Sequence, residues 1–584
     1  MPSLTAMAMA AALKKAFQLL GKLGKAATRA FQLKLPPGSR LRNALCAITG
    51  HPVDVASGRV FTTKTDFELP GRIPIEFRRT YDTSAIEYEG DLGPGWMHSY
   101  ELHLWEDAET GRVVIRDEEV NQLSFAPLEV GERTFEPMSR SWLKRVERAE
   151  YEWSCPDGLV FRFAEPAGAA PDSSTGGSSR SSTSAAPLRL TSIVDRNGNR
   201  IDLSYERGRL STLRDSGGRR IDFRFESVGG GVATRLVEVR LALDARAERT
   251  ARLAAFSYDS SGRLSIATDR GLSAWHYQYD DRTLVKETTG TGVSFHFEYK
   301  GSGASRRCVR TFGDGGIYDR RIEYDRTNRT TRVRDSIGAV TTFHLTAAGM
   351  PERIVDPNGA TRMYGFSPEG WMLFELDEAS RLTKYSYDSR GNIIAVAQPD
   401  GAKFEAVFDA SDRLLTRKYA TGAVERWEYD ERGNVVAKTD AMNARAVFQR
   451  DRAGQVVAVT AVDGMTTRFE WNAFGQCTTR LSPSGGTSRI EYDEQGWPVR
   501  TIDAGGGERR YKHDARGRVL QVWLASGGTH RYRYDADGSV VEFRNSDGQR
   551  YEWRYSGYGF PAERIDPVGG RSRFRCDAEG RLVE

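Results

Sequence analysis

The second half of the chain alternates. In segments such as Arg531-Tyr532-Arg533-Tyr534 and Tyr551-Glu552-Trp553-Arg554-Tyr555, every second residue is aromatic and its neighbours are charged. A period of two places apolar side chains on one face of a strand and polar ones on the other. The interruptions are periodic too. Stepping forward by 21 from Tyr324 reaches Phe366, Tyr387, Phe408, Tyr429, Trp471, Tyr492, His513, Tyr534 and Tyr555. Asp follows many of these anchors directly, and Gly stands four residues after most of them, as in Tyr387-Asp388-Ser389-Arg390-Gly391. Two residues before the anchors lie Phe343, Tyr364, Tyr385, Trp427, Phe448, Phe469, Tyr511, Tyr532, Trp553 and Phe574. Thirteen anchors from 324 to 576 keep this register without an insertion. A second set of glycines (Gly359, Gly401, Gly422, Gly464 and onward to Gly569) falls ten residues after the first. Each unit therefore holds two turns and two strands, a β-hairpin.

Thirteen hairpins predict about 26 strands and, at ~4.8 Å per strand, a sheet on the order of 125 Å wide. Sheets of that width curl, split or close. The unbroken register predicts an all-β fold, one continuous spiral of hairpins forming a hollow shell, with each repeat stabilised by its neighbours. A weaker array, through Tyr258-Asp259 and Tyr279-Asp280, runs from about 190 to 320. The expected division is a basic N-terminal segment 1–45, a β-domain 46–163, a Ser/Gly/Ala-rich loop 164–187, degenerate repeats 188–320 and regular repeats 321–584.

Composition adds exclusions. Glycine, 59 of 584 residues, is about 10% against the usual ~7%, an excess that the turns absorb. Cys46, Cys155, Cys308, Cys477 and Cys576 form no CxxC, so neither a disulfide scaffold nor a cysteine zinc site is expected. The 84 basic and 79 acidic side chains are interspersed, which predicts no nucleic-acid partner. No run of 18 apolar residues predicts a transmembrane segment. The apolar stretch Ala6 to Leu13 runs into Lys14-Lys15, an order unlike a secretory signal. Leu13, Phe17, Leu20, Leu23, Ala27 and Phe31, with Lys14, Lys15, Lys22, Lys25 and Arg29 between them, predict a short amphipathic helix ending before Pro36-Pro37. Its apolar face suits docking on a secretion chaperone or spike protein through residues 1–35, packing on its own protein, or a membrane surface.

The repeat carries a resemblance. Tyr258-Asp259-Ser260-Ser261-Gly262-Arg263-Leu264, with the later copies, resembles the YD repeat of the Rhs proteins, bacterial relatives of the teneurins. Upstream, His51-Pro52-Val53-Asp54-Val55-Ala56-Ser57-Gly58, Thr65 to Gly71, Arg78-Arg79-Thr80-Tyr81 and Leu92-Gly93-Pro94-Gly95-Trp96 resemble the domain that precedes YD repeats in Rhs proteins, including effectors of type VI secretion. The resemblance covers about residue 46 to the end. It implies a β-shell that encapsulates or carries a toxin polypeptide in interbacterial competition, made in the cytoplasm and exported by a contractile system. The partner would be a C-terminal or separately encoded toxin domain. Because the chain stops at Glu584 within a repeat, the core segment and toxin that usually follow are expected to be missing. The alternative is a repeat protein that binds carbohydrate or a cell surface through aromatics such as Trp427 and Trp553, without cargo.

Candidate chemistry is sparse. Asp566-Pro567-Val568-Gly569 resembles the family's DPxG cleavage motif, yet Asp356-Pro357-Asn358-Gly359 has the same form at the same repeat position, which points to an ordinary turn. His51, His98 and His103, with Asp54, would suit metal ligation or base chemistry, but no established spacing joins them and a structural role is expected. His513 replaces a repeat aromatic and is read as packing. Asp388 with Arg390 and Asp514 with Arg516 recur at the repeat period, as turn caps would. No catalytic residue, cofactor site or metal site is assigned, and no enzyme activity is expected.

Overall fold

The structure is a computed structural model and describes residues 53–166, 187–244 and 246–584. The basic segment 1–45, Cys46, His51 and nearly all of the Ser/Gly/Ala-rich stretch lie outside the described residues.

One repeat explains the rest. The strands Leu382–Tyr387 and Ile393–Ala397 pair antiparallel around the turn that begins at Asp388. Asp388 Oδ1 accepts the backbone N–H groups of Arg390 and Asn392, both at 2.9 Å, while Oδ2 accepts the Asn392 side-chain amide at 2.9 Å. Asp409 with Arg413, Asp514 with Arg518 and Asp577 with Arg581 repeat the arrangement. The carboxylate thus satisfies turn donors that would otherwise go unpaired. Gly391 supplies φ +75°, and a Cβ there would lie 2.7 Å from the Trp371 ring of the preceding repeat. The anchor tyrosine clamps neighbouring hairpins together. Tyr387 donates its hydroxyl to the Met372 carbonyl at 2.7 Å, and Tyr429, Tyr492, Tyr534 and Tyr555 likewise reach the carbonyl 15 residues upstream. At position 471 a tryptophan does the same through Nε1, to the Val456 carbonyl at 2.8 Å. A register shift just before the anchor, as between Ser386 and Tyr387, recurs in the repeats and bends each hairpin the same way.

Forty consecutive strands, from Arg133–Glu136 to Arg571–Arg573, build one antiparallel sheet. The accumulated bend makes it a spiral. Arg196 donates to the Gly433 carbonyl at 2.6 Å, Asn199 to the Ala453 carbonyl at 2.9 Å, and Arg320 to Glu579 at 2.6 Å, across 237 to 259 residues. One circuit is therefore eleven to twelve units. At ~4.8 Å per strand this gives a circumference of about 110 Å and a diameter of about 35 Å. The seam is directional, because the Y-D turns of the second circuit rest on the other set of turns of the first.

The sheet extends further upstream than the repeat pattern predicts. Strands Arg133–Glu136, Ser141–Glu147, Glu150–Ser154 and Val160–Ala164, within the expected domain 46–163, already belong to it. Val160–Ala164 pairs with Leu188–Val194, so the Ser/Gly/Ala-rich stretch connects neighbours in one sheet. A ribbon, His103–Glu106, Val113–Arg116 and Gln122–Phe125, joins the same strand through Leu104 and Leu188. No helix among the described residues is long and apolar enough to cross a membrane.

Candidate functional site

The inside of the first circuit is filled. Strands Phe61–Leu69, Ile75–Asp82 and Trp96–His98 form a small separate sheet that sits against the inner wall as a plug. Phe77, fully buried, lies 6.2 Å from Phe223 and 6.0 Å from Phe256, both wall residues. Backbone bonds tie the plug to the rim of the first circuit, with Leu236 N–H on the Asp91 carbonyl at 3.0 Å and Cys308 N–H on the Gly58 carbonyl at 2.9 Å.

At the centre of this junction Arg79 is completely buried. Its Nε bonds Asp66 at 2.9 and 3.0 Å, another nitrogen donates to the wall hydroxyl of Tyr277, and Trp96 lies 5.5 Å from the guanidinium. Burial opposes the charge, and Asp66 and Tyr277 outweigh it. Breaking one member of such a set would leave an uncompensated buried charge.

Of the histidines considered above, His98 and His103 are both buried here. Among the described residues Asp91, His98 and Glu101 bring three potential ligand atoms within 4.8 Å of one another. The hydrogen bonds oppose a metal. Tyr100 N–H donates to His98 Nδ1 at 3.2 Å, so the ring proton belongs on Nε2, which faces Asp91 Oδ2 at 3.4 Å. A ligating histidine normally donates from its second nitrogen; here that nitrogen accepts. Glu101 Oε1 takes the Tyr88 hydroxyl at 2.8 Å and Asp91 N–H at 2.9 Å, while the buried Oε2 accepts no hydrogen bond and lies 3.9 Å from His98 Nε2. Burial, reinforced by the Asp91 carboxylate, raises Glu101 to about 7. Burial, with Arg189 and Arg116 nearby, keeps His103 neutral. The group is a hydrogen-bonded junction between plug and wall. Asp54 caps its own turn, accepting Ala56 N–H at 2.8 Å. His513 stacks on Tyr511 and faces Trp497, with burial lowering its pKa. The 566–569 segment is a turn closed by the Gly569 N–H on the Asp566 carbonyl at 3.0 Å.

Beyond the plug the wall borders a partly open space. A cavity of about 2820 Å³ lies between Trp153 and Phe161 on one side and Tyr364, Phe408 and Trp427 on the other, with Arg116, Arg133, Glu118 and Glu352 also in its lining. The wall residues two before each anchor continue the face that meets the plug in the first circuit, so Trp427 and Trp553 point into the lumen. That placement removes them from the outer surface on which a glycan reader would present them.

Sequence reasoning missed two features. The buried pair Asp66 and Arg79 lay among quoted motif residues with no role attached. The third turn position, variable in every repeat, proved to be the contact point of the seam: Phe474 under Arg219, Arg516 on Asp269, Asp537 on Thr291 and Glu579 on Arg320.

Fold and lumen define a class, the hollow shells of tandem β-hairpins closed around an internal plug. The family model described as RHS Repeat matches residues 324–361, 408–441, 450–487 and 492–529. A domain of unknown function (DUF6531) matches residues 50–125, the plug and the ribbon. A relative, the double-stranded DNA deaminase toxin A of Burkholderia cenocepacia (strain H111), is 26% identical over 310 residues, covering 52% of this chain and 20% of its own. The probable deoxyribonuclease RhsB of Dickeya dadantii (strain 3937) is 25% identical over 413 residues, 68% of this chain and 24% of its own. Similar solved structures include TcdB2-TccC3-Cdc42, at 11% identity and a TM-score of 0.42 over 89% of this chain and 35% of that one. The chain is an Rhs/YD-repeat protein. It spans about a fifth to a quarter of the two relatives' lengths.

Proposed function

We infer that this chain is the wall of a container that carries a toxin polypeptide between competing bacteria, delivered by a type VI or similar contractile apparatus. The wall has a structural task, and no residue in it is assigned catalysis. The observation that supports this reading most is the cavity of about 2820 Å³ inside a wall that winds past its own first circuit and is plugged at one rim. Its mixed aromatic and charged lining suits an extended or partly folded chain better than one apolar ligand. The toxin relatives, one named a deaminase and one a probable deoxyribonuclease, point to the same kind of cargo.

The test is protection. A small reporter domain fused after Glu584 and expressed with the full chain is exposed to a non-specific protease. Encapsulation predicts that the reporter survives digestion, lacks its native activity while enclosed, and is degraded once the shell is opened with denaturant. Immediate digestion, or an active and accessible reporter, would overturn the reading.

A further inference from the structure

Several seam contacts are made by arginines of the first circuit that reach a strong acceptor in the second. Arg320 meets Glu579, Arg249 meets Glu494 at 3.1 Å, and Arg196 meets the Gly433 carbonyl. Arg270 breaks the pattern. Arg270 is 8% exposed; its guanidinium stacks 4.3 Å over Trp497 and donates to a neutral amide oxygen of Gln495, with no carboxylate among the described residues in direct ion-pair contact and Asp493 acting on it only from further off. A buried cation whose direct hydrogen-bond partner is neutral is only partly balanced by a carboxylate at longer range.

Beside it the seam opens into a pocket of about 570 Å³, lined among others by Arg252, Arg270, Asp493, Trp497, Lys512 and Trp523. That volume is within the range of small-molecule sites, roughly 300–1000 Å³. The lining mixes both faces of the wall: Lys512 and Trp523 stand on the outer face, while Tyr511 and His513 come from the lumen side, and Trp523 is 40% exposed. Asp493 uses Oδ1 for the N–H groups of Gln495 and Trp497, both at 2.9 Å, which leaves Oδ2 for a hydroxyl. The pocket thus combines a fork of N–H donors with an unfilled anion position, an exposed aromatic plane and an acceptor at the edge. A fork matches a carboxylate, and an aromatic plane matches the apolar face of a sugar ring.

We propose that this seam pocket binds a sugar carrying a carboxylate, with Arg270 on the carboxylate, Trp523 on the ring face and Asp493 on a hydroxyl. The site lies in the seam and shares no lining residue with the large lumen cavity, so it stands whether or not the lumen carries cargo. It would let the particle hold an acidic polysaccharide of a cell surface.

The experiment titrates the full chain with D-glucuronate, D-glucose and inorganic phosphate by saturation-transfer NMR and calorimetry. Glucuronate is expected to bind at least tenfold more tightly than glucose, and phosphate alone to bind more weakly than glucuronate. Arg270→Gln and Trp523→Ala should each weaken glucuronate tenfold or more. Trp523 is at the surface, so its variant keeps the fold and stays informative if Arg270→Gln loosens the seam. Equal affinity for glucose, phosphate matching glucuronate, or full binding by Trp523→Ala would overturn the proposal. An oligo-uronate binding more tightly than the monosaccharide identifies a polymer as the source, and the reverse order identifies the free sugar; both support the site.

Discussion

Glu579 offers the sharpest test of how the spiral closes. Its Oε1 accepts Arg320 Nη1 at 2.6 Å and Ser336 N–H at 2.9 Å, both side chains of the ion pair are about 10% exposed, and Tyr318 N–H meets the adjacent Ala578 carbonyl at 2.9 Å. Arg320 holds Glu579 below the usual carboxylate range although burial pushes the other way. Glu579→Ala removes the acceptor and takes the carboxylate counter-charge away from the buried Arg320. That class of change costs 3–5 kcal/mol when complete, and at this rim we take about 3 kcal/mol. Each 1.4 kcal/mol is tenfold, so opening of the local seam rises by roughly 150-fold. Hydrogen exchange is the appropriate assay, because a repeat array need not unfold in two states and lacks a single Tm. The amides of Tyr318 and Ser336 should exchange on the order of a hundredfold faster, while hairpins distant from this turn keep their protection. The reversed pair, Arg320→Glu with Glu579→Arg, should recover part of the loss. Unchanged exchange at both amides, or acceleration spread over every repeat, would refute a seam built from local pairs.

Three further outcomes are expected. Because burial raises Glu101 to about 7, the folded state prefers the neutral acid, so stability declines as pH rises from about 4.5 to 7, by about 3 kcal/mol; Glu101→Gln should flatten that slope in denaturation curves measured from pH 4 to 8. Tyr492→Phe removes the hydroxyl donated to the Cys477 carbonyl at 2.8 Å and should cost about 1 kcal/mol, seen as faster exchange in its own and the preceding hairpin. Gly517→Ala should destabilise more than Gly401→Ala: both sit near φ +80°, but only at 517 would the new Cβ fall 2.5 Å from a Trp497 ring atom. Equal losses in local protection would mean that φ strain alone accounts for the glycine.

The fold was legible because it is written locally and many times over. Period-two alternation set the strands, and the spacing of Tyr387-Asp388 from Gly391 set the turn, the cap and the clamp within a few residues. What lay beyond that range was illegible. Nothing near Glu579 in the chain announces Arg320, 259 residues away, since the repeat period conceals how many units make a circuit. The plug was missed for a related reason. Asp66 and Arg79 look like ordinary strand charges, and only the wall residue Tyr277 shows that they are buried. The upstream strands from Arg133 escaped because their lengths and turns depart from 21 residues, although their pairing is the same.

The separation between seam partners also sets a clock. At a synthesis rate of ~5–20 residues per second, the 237 residues that separate Arg196 from Gly433, and Asn197 from Asn434, take on the order of 12 to 50 s to emerge. Hairpins form in microseconds, so the first circuit is complete long before its counterpart exists. During that wait the nascent wall offers a lower rim whose arginines lack their second-circuit acceptors, while the plug, made first, already occupies the interior. The order of translation therefore builds the closed end before the seam, and a ribosome pausing within the second circuit would prolong the one interval in which this rim is open to other proteins.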